Sequence, residues 1–108
     1  MARTGDHCYA TGLDESAMRG FLSMHILWHL SQCPCHGQGI AAEIAKYRGK
    51  KPAPGTLYPA LKKLEEKKLI ARVKDAHKEV TYTITPKGKL ALGAARKYVR
   101  RAFSEILK

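Results

Sequence analysis

Acidic residues are scarce in this 108-residue chain: nine Asp and Glu stand against twenty Lys and Arg, for a formal net charge of +11. Such a balance disfavours cationic partners and leaves nucleic acid, an anionic membrane surface or an acidic protein. Cysteine is scarce too, at three, an odd number that argues against a disulfide framework. Residues Met1 to Gly12 lack an apolar leader segment and contain Asp6 and His7, so the thiols read as reduced and the protein as cytoplasmic. No apolar run reaches the roughly 18 residues that a membrane span requires. Also missing are a glycine-rich phosphate loop, a nucleophile elbow and a separated pair of poised carboxylates. Glu65 and Glu66 are neighbours on one helix and do not face each other, so the chain does not read as an enzyme. No internal repeat or low-complexity tract occurs.

What is present supports a packed core. Hydrophobic residues make up 44% of the chain, too many for a wholly disordered basic tail. The length suits one compact domain, so a long terminal helix would seek a partner chain. Three segments are expected: a flexible N-terminal tail over 1–12, a folded domain over 13–86 and a C-terminal helix over 87–108.

The fold class reads as mainly α with a small β hairpin. Asp14 is placed to cap a first helix in which Phe21, Met24 and Trp28, flanked by Leu27 and Leu30, form the apolar face, and Pro34 ends it. A second helix fits Gln38 to Tyr47, with Ile40, Ile44 and Tyr47 inward and Gly49 as its stop. Pro52 and Pro54 forbid continuation, so a third helix starts near Pro54 or Gly55. In it Leu57, Leu61 and Leu64 recur at helical spacing and face the core, which leaves Thr56, Tyr58, Pro59, Lys62 and Lys63 outward. From Leu69 the period changes to two, and Leu69–Lys74 and Glu79–Thr85 read as paired strands around a tip of Asp75, Ala76, His77 and Lys78. Pro86 opens a last helix to about Ile106, along which Leu92, Ala95, Val99, Ala102, Phe103 and Ile106 form an apolar stripe for dimerisation.

A short basic helix that follows another helix and leads into a hairpin is the arrangement of a winged helix-turn-helix that binds double-stranded DNA. Thr56, Tyr58, Lys62 and Lys63 are the candidates for the major groove, which is wide enough for a helix and whose base edges are distinguishable. Tyr58, beside Pro59, either touches a phosphate through its hydroxyl or packs on the neighbouring helix. Lys74, His77 and Lys78 at the hairpin tip, and Lys50 and Lys51 in the linker, would add backbone attraction rather than base specificity.

Two rival sites remain open. Cys33, Cys35 and His36 are thiolate and imidazole donors that suit zinc or thiol sensing, but a structural zinc site takes two such clusters and Cys-Pro-Cys is not the common spacing, so no metal or other cofactor is assigned. Trp28 is either a core residue or, with Tyr98 and Phe103, part of an aromatic cavity for a small-molecule effector at a subunit junction.

Taken together, His36-Gly37, Gly55-Thr-Leu-Tyr-Pro-Ala-Leu-Lys-Lys-Leu-Glu, Leu69-Ile and Tyr82-Thr-Ile-Thr-Pro-Lys-Gly resemble the PadR family of transcriptional regulators over roughly Met18 to Leu92. The resemblance implies a homodimeric DNA-binding repressor whose C-terminal helix packs against the partner's helices, with operator release controlled by a small effector. It is similar to the short subtype, which has one C-terminal helix and no separate effector domain. The sequence departs from the family at Cys33-Pro-Cys35, where apolar or small residues are common, and at Lys68, where a glycine commonly ends the recognition helix.

Overall fold

The computed structural model describes residues 21–74 and 76–108. The capping role expected of Asp14, the tail over 1–12 and Asp75 of the hairpin tip lie outside them. Four helices and three strands follow in the order α1 (Leu22–Gln32), β1 (Cys35–His36), α2 (Gly37–Arg48), α3 (Pro54–Glu66), β2 (Ile70–Lys74), β3 (Val80–Ile84) and α4 (Pro86–Phe103). Among the described residues, no helix is long and apolar enough to cross a membrane.

Helix α1 buries Leu22, Ile26, Leu27, His29 and Leu30. This rotates the expected inner face: Phe21 is 40% exposed, and Met24 and Trp28 are only half-buried. Two apolar stripes overlap on this helix. The compact aliphatic one packs with Ile40, Ala41 and Ile44 of α2 in the core, and the aromatic one is displaced to the flank, where Trp28 meets Tyr47 edge-on at 5.6 Å. Tyr47, expected inward on α2, is 62% exposed for the same reason. Cys33 ends α1 in extended conformation, and Pro34 offers no N–H to continue it.

Residues Cys35 and His36, in the connection between α1 and α2, form a third strand. They pair antiparallel with Tyr82 and Thr81, giving a sheet in the order β1-β3-β2. A two-residue strand is too short to show a period, so only the neighbouring hairpin reveals it. The two strands of the hairpin pair as expected, in a register that runs from Ile70 opposite Ile84 to Lys74 opposite Val80, so Glu79 joins the turn.

His36 caps α2, its Nδ1 accepting the Gly39 N–H at 3.0 Å, and Gly49 closes that helix at φ 76°, a left-handed conformation suited to glycine. Helix α3 has Pro54 in its first turn and encloses Pro59. Helix α4 stops at Phe103, three residues short of the expected Ile106, which is 71% exposed beyond it. The core is continuous from α1 and α2 through Leu57, Leu61 and Leu64 to Ile70, Tyr82 and Leu92. Burying each large aliphatic side chain there contributes about 1.5–3 kcal/mol.

Candidate nucleic-acid interface

Helix α3 is held by Leu57, Leu61 and Leu64, which are at most 4% exposed. Their spacing leaves Gly55, Pro59 and Lys62 at the centre of the opposite face. Thr56, Pro59 and Lys63 line a groove of about 540 Å³ against Leu22 and Ser23 of α1. Among the described residues, neither Lys62 nor Lys63 has an ion-pair partner. The helix's acidic residues stand at its far end, where Glu65 binds Arg72 of the wing at 3.5 Å. The outward face of α3 therefore carries the positive end of the helix dipole at its start and two mobile cations, Lys62 and Lys63, in its C-terminal half.

Tyr58 flanks this face. A Cβ on Gly37 would lie 2.6 Å from its hydroxyl, so the ring rests on the first turn of α2 only because residue 37 is glycine. The Gln38 side-chain amide donates to the Tyr58 hydroxyl at 3.3 Å. Of the two roles left open for Tyr58, packing on the neighbouring helix is thus realised, and the residue remains 40% exposed beside the N-terminus of α2. Lys51 and Tyr58 line a common cleft of about 230 Å³ with Gln38 and Pro54, so the linker and α3 share one surface. Lys50 is exposed next to it.

In the wing, Lys74, His77 and Lys78 are all exposed, and Lys78 takes a left-handed φ of 61° in the turn. Glu79, by contrast, lines the hollow between wing and α2 with His36, Gly37 and Tyr58. Two residues of this surface escaped the sequence reading. Glu79 brings an acidic group to its rim, and Gly55 is exposed with open space where a Cβ would stand. The signal for Gly55 was its spacing with Pro59 and Lys62.

The rival sites fare differently. Cys33 is exposed and Cys35 half-buried, where burial above all, then Cys33 and Glu43, pushes the Cys35 thiol up from its ordinary value. With His36 Nδ1 occupied as a cap, the three do not converge, and among the described residues no three His, Cys, Asp or Glu side chains group to hold a metal ion. Trp28 contacts His25 and Tyr47, whereas Phe103 contacts Phe21 at 5.8 Å and Tyr98 is 69% exposed. A single subunit therefore joins no two of Trp28, Tyr98 and Phe103 by a ring contact among the described residues. The α4 stripe also divides. Leu92, expected at a dimer interface, is 4% exposed and belongs to the subunit's own core, so its burial needs no partner. Ala95, Val99 and Phe103 are half-buried on the same side, and Ala102 and Ile106 are exposed.

A trihelical core, a basic third helix and a β wing define a winged helix-turn-helix protein. The profile of the transcriptional regulator PadR-like family matches residues 26–94. The chain belongs to that family, whose members are DNA-binding regulators of transcription. Transcriptional regulator Rv3488 of Mycobacterium tuberculosis is 34% identical over 92 residues, which span 82% of this chain and 85% of the relative. A PadR-like transcriptional regulator from Bacillus cereus superposes with a TM-score of 0.78 at 24% identity, covering 85% of this chain and 93% of that one. The transcriptional regulator BldR from Sulfolobus solfataricus superposes at 0.69 with 28% identity, covering 81% of this chain and 60% of that one.

Proposed function

We propose that this regulator is a cytoplasmic homodimeric repressor that binds a pseudo-palindromic operator, placing the outward face of α3 in the major groove and the wing on the flanking backbone. The observation that carries this reading is the outward face of α3, where Gly55, Thr56, Pro59, Lys62 and Lys63 run along a helix held from behind by three buried leucines. Two copies related by a twofold axis would enter successive major grooves about 34 Å apart. Lys50, Lys51, Tyr58, Lys74, His77 and Lys78 would hold phosphates, which sets register and affinity. Ala95, Val99, Ala102, Phe103 and Ile106 would meet the partner. There Trp28, Tyr98 and Phe103, contributed by both protomers, would line the effector site, and binding would change the separation of the reading helices.

The test replaces Lys62 and Lys63 together by Ala and measures operator affinity against salt. In the groove a lysine reaches either a base edge or a phosphate; each phosphate contact contributes a slope of about 0.9 in log K against log salt, so losing both lysines should weaken binding and flatten the dependence by up to about 2. Circular dichroism should stay the same, because both side chains are exposed. Unchanged affinity and slope would remove α3 from the DNA interface.

A further inference from the structure

The junction between recognition helix and C-terminal helix is bonded more closely than chain connectivity demands. At the end of α3 the Lys68 N–H donates to the Glu65 carbonyl at 2.9 Å and the Leu69 N–H to the Leu64 carbonyl at 3.0 Å, while Lys68 itself turns left-handed at φ 63°. This directs two successive carbonyls, those of Lys68 and Leu69, toward the start of α4. Thr85 takes both: its hydroxyl donates to the Lys68 carbonyl at 2.7 Å and its backbone N–H donates to the Leu69 carbonyl at 3.1 Å. The same hydroxyl accepts the Gly88 N–H at 3.0 Å and so caps α4. Gly88 is buried, and a Cβ there would stand 2.0 Å from the Leu69 carbonyl oxygen and 2.8 Å from the Ile84 side chain. The first turn of α4 therefore rests on the backbone that ends α3.

We infer that Thr85, with Gly88, is a positioning residue that makes the recognition helix and the C-terminal helix one rigid body. This rests on the proposed dimeric reading for its consequence: if α4 joins two subunits, its angle to α3 fixes the distance between the reading helices and hence the half-site spacing. A hinge at Lys67–Leu69 would let each α3 follow its half-site independently. The joint denies that freedom, since tilting α3 against α4 breaks both carbonyl bonds and drives the Leu69 oxygen onto residue 88. Spacing selectivity is thus assigned to a threonine that need touch no DNA.

The experiment separates capping from coupling. Thr85→Ser keeps the proton donor and the acceptor. Thr85→Asp keeps a strong capping acceptor for Gly88, but its carboxylate has no proton for the Lys68 carbonyl. Each full-length protein selects from duplexes carrying randomised half-sites at every spacing across about 10 base pairs, one helical turn. Wild type and Thr85→Ser should each enrich one spacing, whereas Thr85→Asp, folded as judged by circular dichroism, should spread enrichment over several neighbouring spacings with the same half-site sequence. A single sharp spacing for Thr85→Asp would overturn the assignment. Amide hydrogen exchange of wild type without DNA reads the joint at the Thr85 N–H, which donates across it to the Leu69 carbonyl: Thr85 and Gly88 should open together, and early, independent exchange of Thr85 would overturn it. Joint opening in a wild type that selects no bipartite site would uphold the rigid body and remove the operator reading instead.

Discussion

Lys68 stands in a conformation that costs a non-glycine side chain about 1–2 kcal/mol. What the residue contributes to the fold is its carbonyl and its turn, both of which glycine supplies. Lys68→Gly is therefore expected to stabilise the protein by roughly 0.5–1 kcal/mol, less than the strain because glycine also frees the unfolded chain. Chemical denaturation checks this, and a drop in midpoint would show that the lysine side chain holds the turn. Gly55 presents the opposite case. No atom of the subunit crowds its missing Cβ, so Gly55→Ala should leave thermal stability equal or slightly raised. If α3 approaches the groove as proposed, the same change should weaken operator binding several-fold in a gel-shift titration. Undiminished affinity would mean that this end of α3 stays clear of the duplex. Gly55 and Lys68 were both visible in the sequence, but whether each glycine or lysine is crowded, open or strained depends on backbone angles and neighbours that residue type does not encode.

Between helices α1 and α2 lies a small aromatic cluster in which His25 meets Tyr47 at 5.3 Å and Trp28 at 6.0 Å. Burial, then the positive charge of Arg48 and of His29, holds the His25 imidazole below its ordinary value of 6.5. The folded state thus resists a proton that the unfolded chain accepts. The associated stability is complete above pH 6.5 and is lost as the pH falls through the window between that value and the lower folded one. Thermal melts between pH 7.5 and 5.5 should show a decline that His25→Phe, which keeps a ring and removes the titration, partly flattens. An identical decline in that variant would assign the effect to other groups. The same pair of helices shows how far periodicity reaches. It located both and their ends at Pro34 and Gly49, yet on α1 it chose the aromatic stripe over Leu22 and Ile26, because both stripes satisfy helical spacing and only the shape of the opposing α2 surface discriminates between them. Strand β1 was invisible for a related reason, since its partner lies more than forty residues away at Thr81 and Tyr82.

For the whole molecule, the excess of positive charge and the unshared surface of α4 are the features that call for partners. Leu90 is 77% exposed and Tyr98 69%, while Ala102 lies exposed beside the half-buried Phe103. Ala102→Asp should move the sedimentation of the proposed dimer toward monomer without the loss of fold that charging Phe103, packed on Phe21, would bring. A dimer that persists at micromolar concentration would place the interface away from this end of α4. The order of the four helices and the hairpin, the leucine-backed basic helix and the family were all determined by the sequence by itself, because hydrophobic period, proline and glycine stops and β-branched alternation act over a few neighbouring residues. Tertiary structure decided the rest: which α1 stripe is core, that Leu92 serves its own subunit, that Tyr58 lies on Gly37, and that Thr85 bonds the end of α3 to the start of α4. These depend on contacts between residues distant in the chain, where packing shape and the pairing of backbone groups, rather than local pattern, set the lowest free energy.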